Sequence, residues 1–215
     1  MDIDIIYRSV YNGGVNEKNP MRETIIEKAL LLFSSRGYEG VSVSELAESS
    51  GITKPTLYYY FGNKEGLFEA VSQSQYEGLD KVLKENAAYA PNPKSYYDDI
   101  YRTLIKVVSA YFSFAREHEP FFRMTLANLA MPPSSPVFGI VKKYHFSQFD
   151  IMENMFREMA KGHGNLKGKS RTLSWSFIGT INSYIGLFFS GMPGQALNDK
   201  AVDELVHQFM HGIYA

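Results

Sequence analysis

The chain has 215 residues, 45% of them hydrophobic and 14% aromatic, with a formal charge of −1. That is enough apolar material for one large helical body or for an ordinary domain plus a small one, and the near-neutral balance excludes a nonspecific nucleic-acid coat, which would be strongly basic. With no cysteine present, disulfide frameworks, thiolate zinc sites and cysteine nucleophiles are excluded as well.

Residues 1–19 read as a flexible arm: Asn12-Gly13-Gly14 signals a turn, no periodicity is sustained, and Met21 is an alternative start. The first ten residues carry acids where a secretory leader carries bases, and no run of about 18 apolar residues occurs. The expectation is a soluble, cytoplasmic protein with no membrane partner.

The first helix starts at Asn19-Pro20, a cap followed by proline at the first helical position. Ile25, Ile26, Ala29, Leu30 and Phe33 then recur at helical spacing, and Gly37 after Arg36 is the natural stop. Ser42-Val43-Ser44-Glu45 is a capping box opening a short second helix, with Leu46 and Ala47 inward and a stop before Gly51. Thr53 caps a third short helix, Lys54 to Tyr60, in which Pro55 is tolerated within the first turn. Gly62-Asn63 breaks it, and Asn63 caps a fourth helix running towards Ala90 with Leu67, Phe68, Val71, Leu79, Val82 and Leu83 as its apolar face.

Beyond Pro91-Asn92-Pro93, longer helical patterns cover 95–117, a short stretch from Pro120 to before Met131, 135–161, 170–190 and 199–213, with a glycine-rich connection at 162–169. The 170–190 pattern is apolar nearly all round, which predicts burial on every side. No strand alternation competes, so the fold is expected to be all-α.

The residues that carry chemistry lie between 37 and 68. Two short helices joined by a tight turn at Gly51 and braced by a preceding helix describe a helix-turn-helix, whose second helix enters the major groove of DNA. Gly51 serves either a positive φ or a close helix crossing. Thr53, Lys54 and Thr56 occupy the leading end of the groove-facing helix, where free backbone amides also suit phosphate oxygens.

Phe33-Ser34-Ser35-Arg36-Gly37-Tyr38 followed by Pro55-Thr56-Leu57-Tyr58-Tyr59-Tyr60-Phe61-Gly62-Asn63-Lys64-Glu65-Gly66-Leu67 resembles the DNA-binding domain of the TetR/AcrR family of regulators, over about a quarter of the chain. The resemblance implies a three-helix DNA-binding domain over 20–66 and a helical ligand-binding and dimerisation bundle over 67–215. It places Leu57 and Phe61 inward, Tyr58 and Tyr59 against DNA, and Lys64 on a phosphate. Ser42 and Ser44 are further phosphate candidates, and Pro55 departs from the small residue common in the family. Residues 21–68 hold five bases and six acids, so binding is expected to need two copies on palindromic double-stranded operator DNA, with half-sites about 34–36 Å apart. The implied function is a sequence-specific repressor released by a small apolar or aromatic effector; the alternative is a dimeric helical adaptor that does not touch DNA.

Twelve of the fifteen phenylalanines and seven of the nine methionines lie beyond residue 100, which suits an adaptable apolar cavity. By the resemblance, which implies a small molecule bound there, Tyr101, Phe112, Phe121, Phe122, Phe146, Met152, Met155 and Trp175 are candidate lining, although each also suits an ordinary core position. The resemblance implies a homodimer through the last two helices, with Phe177, Ile181, Tyr184, Phe188, Val202, Leu205, Val206 and Phe209 at or under the interface. His207 and His211 share a metal-pair spacing but lack a Glu or third His at a supporting offset, although Asp203 is one turn earlier, and no metal is expected. His118 and His163 read as exposed. Asp98-Asp99 splay apart on a helix, and no nucleophile elbow, phosphate loop or dinucleotide fingerprint occurs, so neither an enzyme nor a cofactor is expected.

Overall fold

The computed structural model describes residues 19–92, 95–129 and 131–212. Apart from Asn19, the arm expected over 1–19 lies outside them, as does the last residue of the helix expected over 199–213. Regular structure among the described residues is helical throughout: α1 (Pro20–Arg36), α2 (Val43–Ser49), α3 (Lys54–Phe61), α4 (Lys64–Asn86), α5 (Tyr96–Glu117), α6 (Glu119–Leu129), α7 (Phe138–His145), α8 (Ser147–Gly162), α9 (Ser170–Phe189) and α10 (Asp199–His211), with a 3-10 turn at Gly164–Leu166.

Local cap chemistry sets the first four helices. The Asn19 side chain accepts from the Met21 and Arg22 amides. Ser42 and Glu45 form both halves of a capping box, Thr53 accepts from the Thr56 amide, and Asn63 accepts from the Gly66 amide. Each bond satisfies an amide that the helix start would otherwise leave unpaired. Gly51 has φ +66, and a Cβ there would meet nothing. Backbone conformation, not crowding, therefore requires glycine at this turn.

The head is α1 to α3 closed by the first turns of α4. Phe33, Tyr38 and Phe68 meet as an aromatic cluster, with Phe68 edge-on to both partners at 5.3 Å, and Ile25, Ile26, Ala29, Leu46, Leu57 and Leu67 fill the rest. Each large side chain buried here contributes about 1.5–3 kcal/mol. Because Leu67, Phe68 and Val71 sit in this core, α4 belongs to the head at one end and to the body at the other.

The body packs α4 against α5, α7 and α8, α5 against α9 and α10, and α8 against α9; α1 also rests on α6, giving head and body a second joint. The single helix expected over 135–161 is two, α7 and α8, meeting at Phe146. The break is held by side chains that take up helix-end carbonyls: Ser147 Oγ donates to Tyr144 O (2.7 Å) and to Asp80 (2.8 Å), and Gln148 Nε2 donates to His145 O (2.9 Å). The expectation for α9 also fails in part, because Thr172, Trp175, Ser176, Gly179 and Ser183 form an exposed face. Within one chain that helix is buried on one side only.

Candidate nucleic-acid interface

The leading end of α3 is an outward-facing surface on a fixed base. Leu57 is fully buried, and it anchors the helix while Thr53, Lys54, Pro55, Tyr58 and Tyr59 are exposed. Tyr58 is 46% and Tyr59 65% exposed, the Tyr59 ring meeting Tyr60 edge-on at 5.3 Å, an uncommon exposure for rings of this size. Phe61, expected inward, is half-buried with the Arg22 guanidinium over its ring at 5.4 Å. Pro55 stands within the first turn of α3, where its missing N–H breaks no helical bond.

Three of the polar candidates are already engaged. The Thr56 hydroxyl lies 2.9 Å from the Thr53 hydroxyl. Ser42 Oγ accepts from the Glu45 amide at 3.3 Å. Ser44 is exposed on the first turn of α2. Arg36 pairs with Glu45 at 2.6 Å, so one of the five bases of the head is neutralised locally. The Ser42 backbone N–H, followed by the Arg36 side chain, holds the Glu45 carboxyl down at about 2. Lys64 opens α4 with its ammonium 4.0 Å from the centre of the Tyr38 ring.

The eight candidates for an effector cavity lie in different surroundings. Phe121, Phe122 and Met152 are core residues. Tyr101 donates to Asp203 at 3.1 Å, tying α5 to α10. Phe112 borders a cleft of about 460 Å³ with Ile105, Lys106, Arg116 and Val202. Met155 borders another of about 420 Å³, which Ala87, Ala88, Tyr89 and Ile151 line together with Lys84, Asp150 and Glu158. Phe146 and Trp175 are 48% and 57% exposed and face solvent in the single chain, contrary to expectation. Both follow from helix register: Phe146 occupies the α7–α8 corner and Trp175 the open face of α9.

Of the residues expected at or under a dimer interface, Phe177, Ile181, Val202, Leu205 and Val206 are buried within the chain's own core. Phe177 and Phe209 rings meet at 4.9 Å. Tyr184, Phe188 and Phe209 are partly buried against that core, and the exposed face of α9 includes Thr172, Trp175, Ser176, Gly179 and Ser183. His207 and His211 are exposed, with ring centres 4.7 Å apart, and no cluster of three metal-ligating side chains occurs among the described residues.

Two buried polar clusters escaped the sequence reading. Tyr76 Oη lies 3.4 Å from Thr125 Oγ1 and 3.2 Å from His145 Nδ1, while Gln148 Nε2 lies 2.9 Å from the same nitrogen and Gln148 Oε1 accepts from Tyr111. Burial pushes the His145 pKa down to about 4, keeping the imidazole neutral. The second cluster corrects the view of His163 as exposed. It is buried, with Nε2 3.2 Å from Asp99 Oδ1, and Asp99 Oδ2 accepts from Tyr89 Oη (2.7 Å) and the Asn92 amide (2.9 Å). His118 is likewise half-buried, stacked on Phe114 at 3.8 Å. The spacing of Tyr76 with Leu79 and Leu83 was a legible sign of inward placement; nothing local marked His163.

Residues 25–71 match the family described as bacterial regulatory proteins, tetR family. The chain is 28% identical over 201 residues to the negative transcriptional regulator IcaR of the biofilm operon icaADBC in Staphylococcus aureus, covering 91% of this chain and 96% of that protein. A probable transcriptional regulator of Bacillus subtilis, YttP, is 34% identical over 88 residues, 41% of this chain and 42% of its own length. Among solved structures, the fatty acid degradation regulator FadR of Bacillus halodurans superposes with a TM-score of 0.76 at 17% identity, covering 92% of this chain and 98% of that one. FadR of Bacillus subtilis in complex with stearoyl-CoA gives 0.72 at 17% identity, covering 89% and 98%. The TetR family regulator PfmR of Thermus thermophilus gives 0.68 at 22% identity, covering 93% and 98%. No helix among the described residues is long and apolar enough to cross a membrane. The motif between Phe33 and Leu67 and the head built on it thus lie within a segment that matches the tetR family of bacterial regulatory proteins, and the chain as a whole is similar to known transcriptional regulators.

Proposed function

We propose that the chain is a repressor that binds palindromic operator DNA as a homodimer and lets go when a small apolar effector enters its body. The observation that carries this reading is α3: Leu57 fixes the helix from below while Tyr58, Tyr59, Lys54 and Thr53 face outward. That is the arrangement by which a recognition helix reads base edges and phosphates. In this reading Lys64, Ser42, Ser44, Pro55 and Thr56 supply further contacts to the DNA. The name of IcaR as a negative regulator supports repression. The FadR likeness, one of its members holding stearoyl-CoA, supports an effector with a long apolar portion. The cleft lined by Lys84, Ala88, Ile151 and Met155 is of a size that suits such a portion.

A gel-shift series on DNA upstream of the chain's own gene tests the proposal. Wild type should retard a palindromic fragment at low salt, and Tyr58→Ala and Tyr59→Ala should each weaken binding about ten-fold while folding normally. A fatty acyl thioester added to the complex should release the DNA. Failure of the wild type to select any palindrome over random DNA would end the repressor reading.

A further inference from the structure

We infer that Tyr38 is a positioning residue for DNA binding, its ring holding the Lys64 ammonium at the start of α4 as a preformed phosphate grip. The inference rests on the proposed repressor reading, in which Lys64 meets a phosphate, and adds the means by which it is kept in place.

Lys64 is the first residue of α4, directly after the Asn63 cap. A cation there opposes the helix dipole, whose positive end favours acids. Glu65 follows in the favoured first-turn role, so helix stability alone accounts for Glu65 but not for Lys64. The misplaced charge has a specific support instead: its Nζ stands 4.0 Å above the centre of the Tyr38 ring, well inside the range at which an aromatic face attracts a cation.

Tyr38 is fixed in turn. It is buried, wedged edge-on against Phe68 at 5.3 Å and tilted against Phe33 at 5.9 Å. Its hydroxyl faces the Glu65 carboxylate; burial, then that carboxylate, raises the phenol pKa and keeps it protonated. A phenol that hydrogen-bonds to a carboxylate has a more electron-rich ring, which strengthens its hold on a cation. A flexible lysine stem held in this way loses less freedom when a phosphate arrives.

The test replaces Tyr38 with phenylalanine and then with its mono-, di- and trifluorinated analogues, which hold the ring's shape while draining its face of charge. Thermal melting of each variant verifies an intact head. Operator affinity, measured across a range of salt concentrations, should fall stepwise with fluorination, by about two- to five-fold per subunit at trifluorophenylalanine. In a Lys64→Ala background the same series should be flat, and Lys64→Ala itself should shrink the salt slope by about one unit per subunit. Equal losses with and without Lys64, or no loss along the series, would overturn the inference and leave the repressor reading standing. A Lys64→Ala protein with full salt slope would overturn it too, by removing Lys64 from the phosphates. If wild type binds no operator at all, inference and repressor reading fall together.

Discussion

The Tyr76 hydroxyl lies 3.2 Å from His145 Nδ1, and this contact joins α4, the helix that leaves the reading head, to the corner between α7 and α8. Glu69 and Asp80 on the same helix hold the same corner through Lys143 (2.8 Å) and Ser147 (2.8 Å). The lever between head and body is thus gripped by polar bonds at three levels.

Burial sets the His145 pKa at about 4, against 6.5 for a free imidazole. The folded state therefore refuses a proton that the unfolded state takes up as pH falls below 6.5. Stability is full above that value and declines towards pH 4, at up to about 1.4 kcal/mol per unit, or roughly 3 kcal/mol in all. His145→Asn keeps an acceptor near Nδ1 without a titrating ring, so its denaturant midpoint should change less between pH 7 and 4 than that of the wild type. Parallel curves for the two proteins would show that His145 is not the titrating group.

Gly66 should be less replaceable than Gly51, although only Gly51 has a positive φ. A Cβ at Gly66 would overlap the Phe61 carbonyl oxygen, a backbone atom with no freedom to retreat. A Cβ at Gly51 meets open space and costs only the strain of φ +66, about 1–2 kcal/mol. Gly66→Ala should therefore lower the melting temperature more than Gly51→Ala and shift α3 relative to α4, with operator affinity falling alongside. Gly51→Asn should recover part of the loss at that position, since asparagine tolerates the left-handed region. An unchanged melting temperature for Gly66→Ala would contradict the packing described at the α3–α4 junction.

Asp99 should behave as a structural anchor. Burial pushes its pKa up, but the Asn92 amide, the Tyr89 hydroxyl and His163 together bring it below the ordinary value. The stability it contributes is present above the ordinary carboxyl pKa and is lost as pH falls below it. Asp99→Ala leaves those donors facing a void and should cost about 3 kcal/mol; Asp99→Asn, which keeps an acceptor, should cost less. Amide exchange should quicken around residues 89–92 and 163–166 in the alanine variant. Protection equal to wild type there would remove Asp99 from this role.

What could be read in advance follows the range of the forces involved. Asn19, Ser42 with Glu45, Thr53 and Asn63 cap helices that begin one residue later, so α1 to α4 were legible from short stretches. The break between α7 and α8 depends on Ser147 reaching Asp80, 67 residues away, and a periodic pattern through 135–161 hides it. His163 lies in a glycine-rich turn that reads as surface; Asp99, 64 residues earlier, brings it inside. Candidate DNA contacts could be named because a short motif carries them. Composition alone does not place a large apolar side chain: Phe121 and Met152 lie in the core, whereas Trp175 lies at the surface.

Trp175 offers a direct view of assembly, being the chain's single tryptophan. At 57% exposed in one chain, it should emit at long wavelength as a monomer. In the proposed dimer, the open face of α9 formed by Trp175, Gly179 and Ser183 packs against its copy, and the indole leaves water. Diluting the protein through its dissociation constant should then shift emission to the red in step with the loss of dimer seen by sedimentation. Trp175→Glu should hold the protein monomeric, because two carboxylates buried across a two-fold axis repel and lose their hydration. Its affinity for a palindrome should fall towards that of a single head, while each head stays folded. A Trp175→Glu protein that still sediments as a dimer would place the interface elsewhere on the body, away from this face of α9.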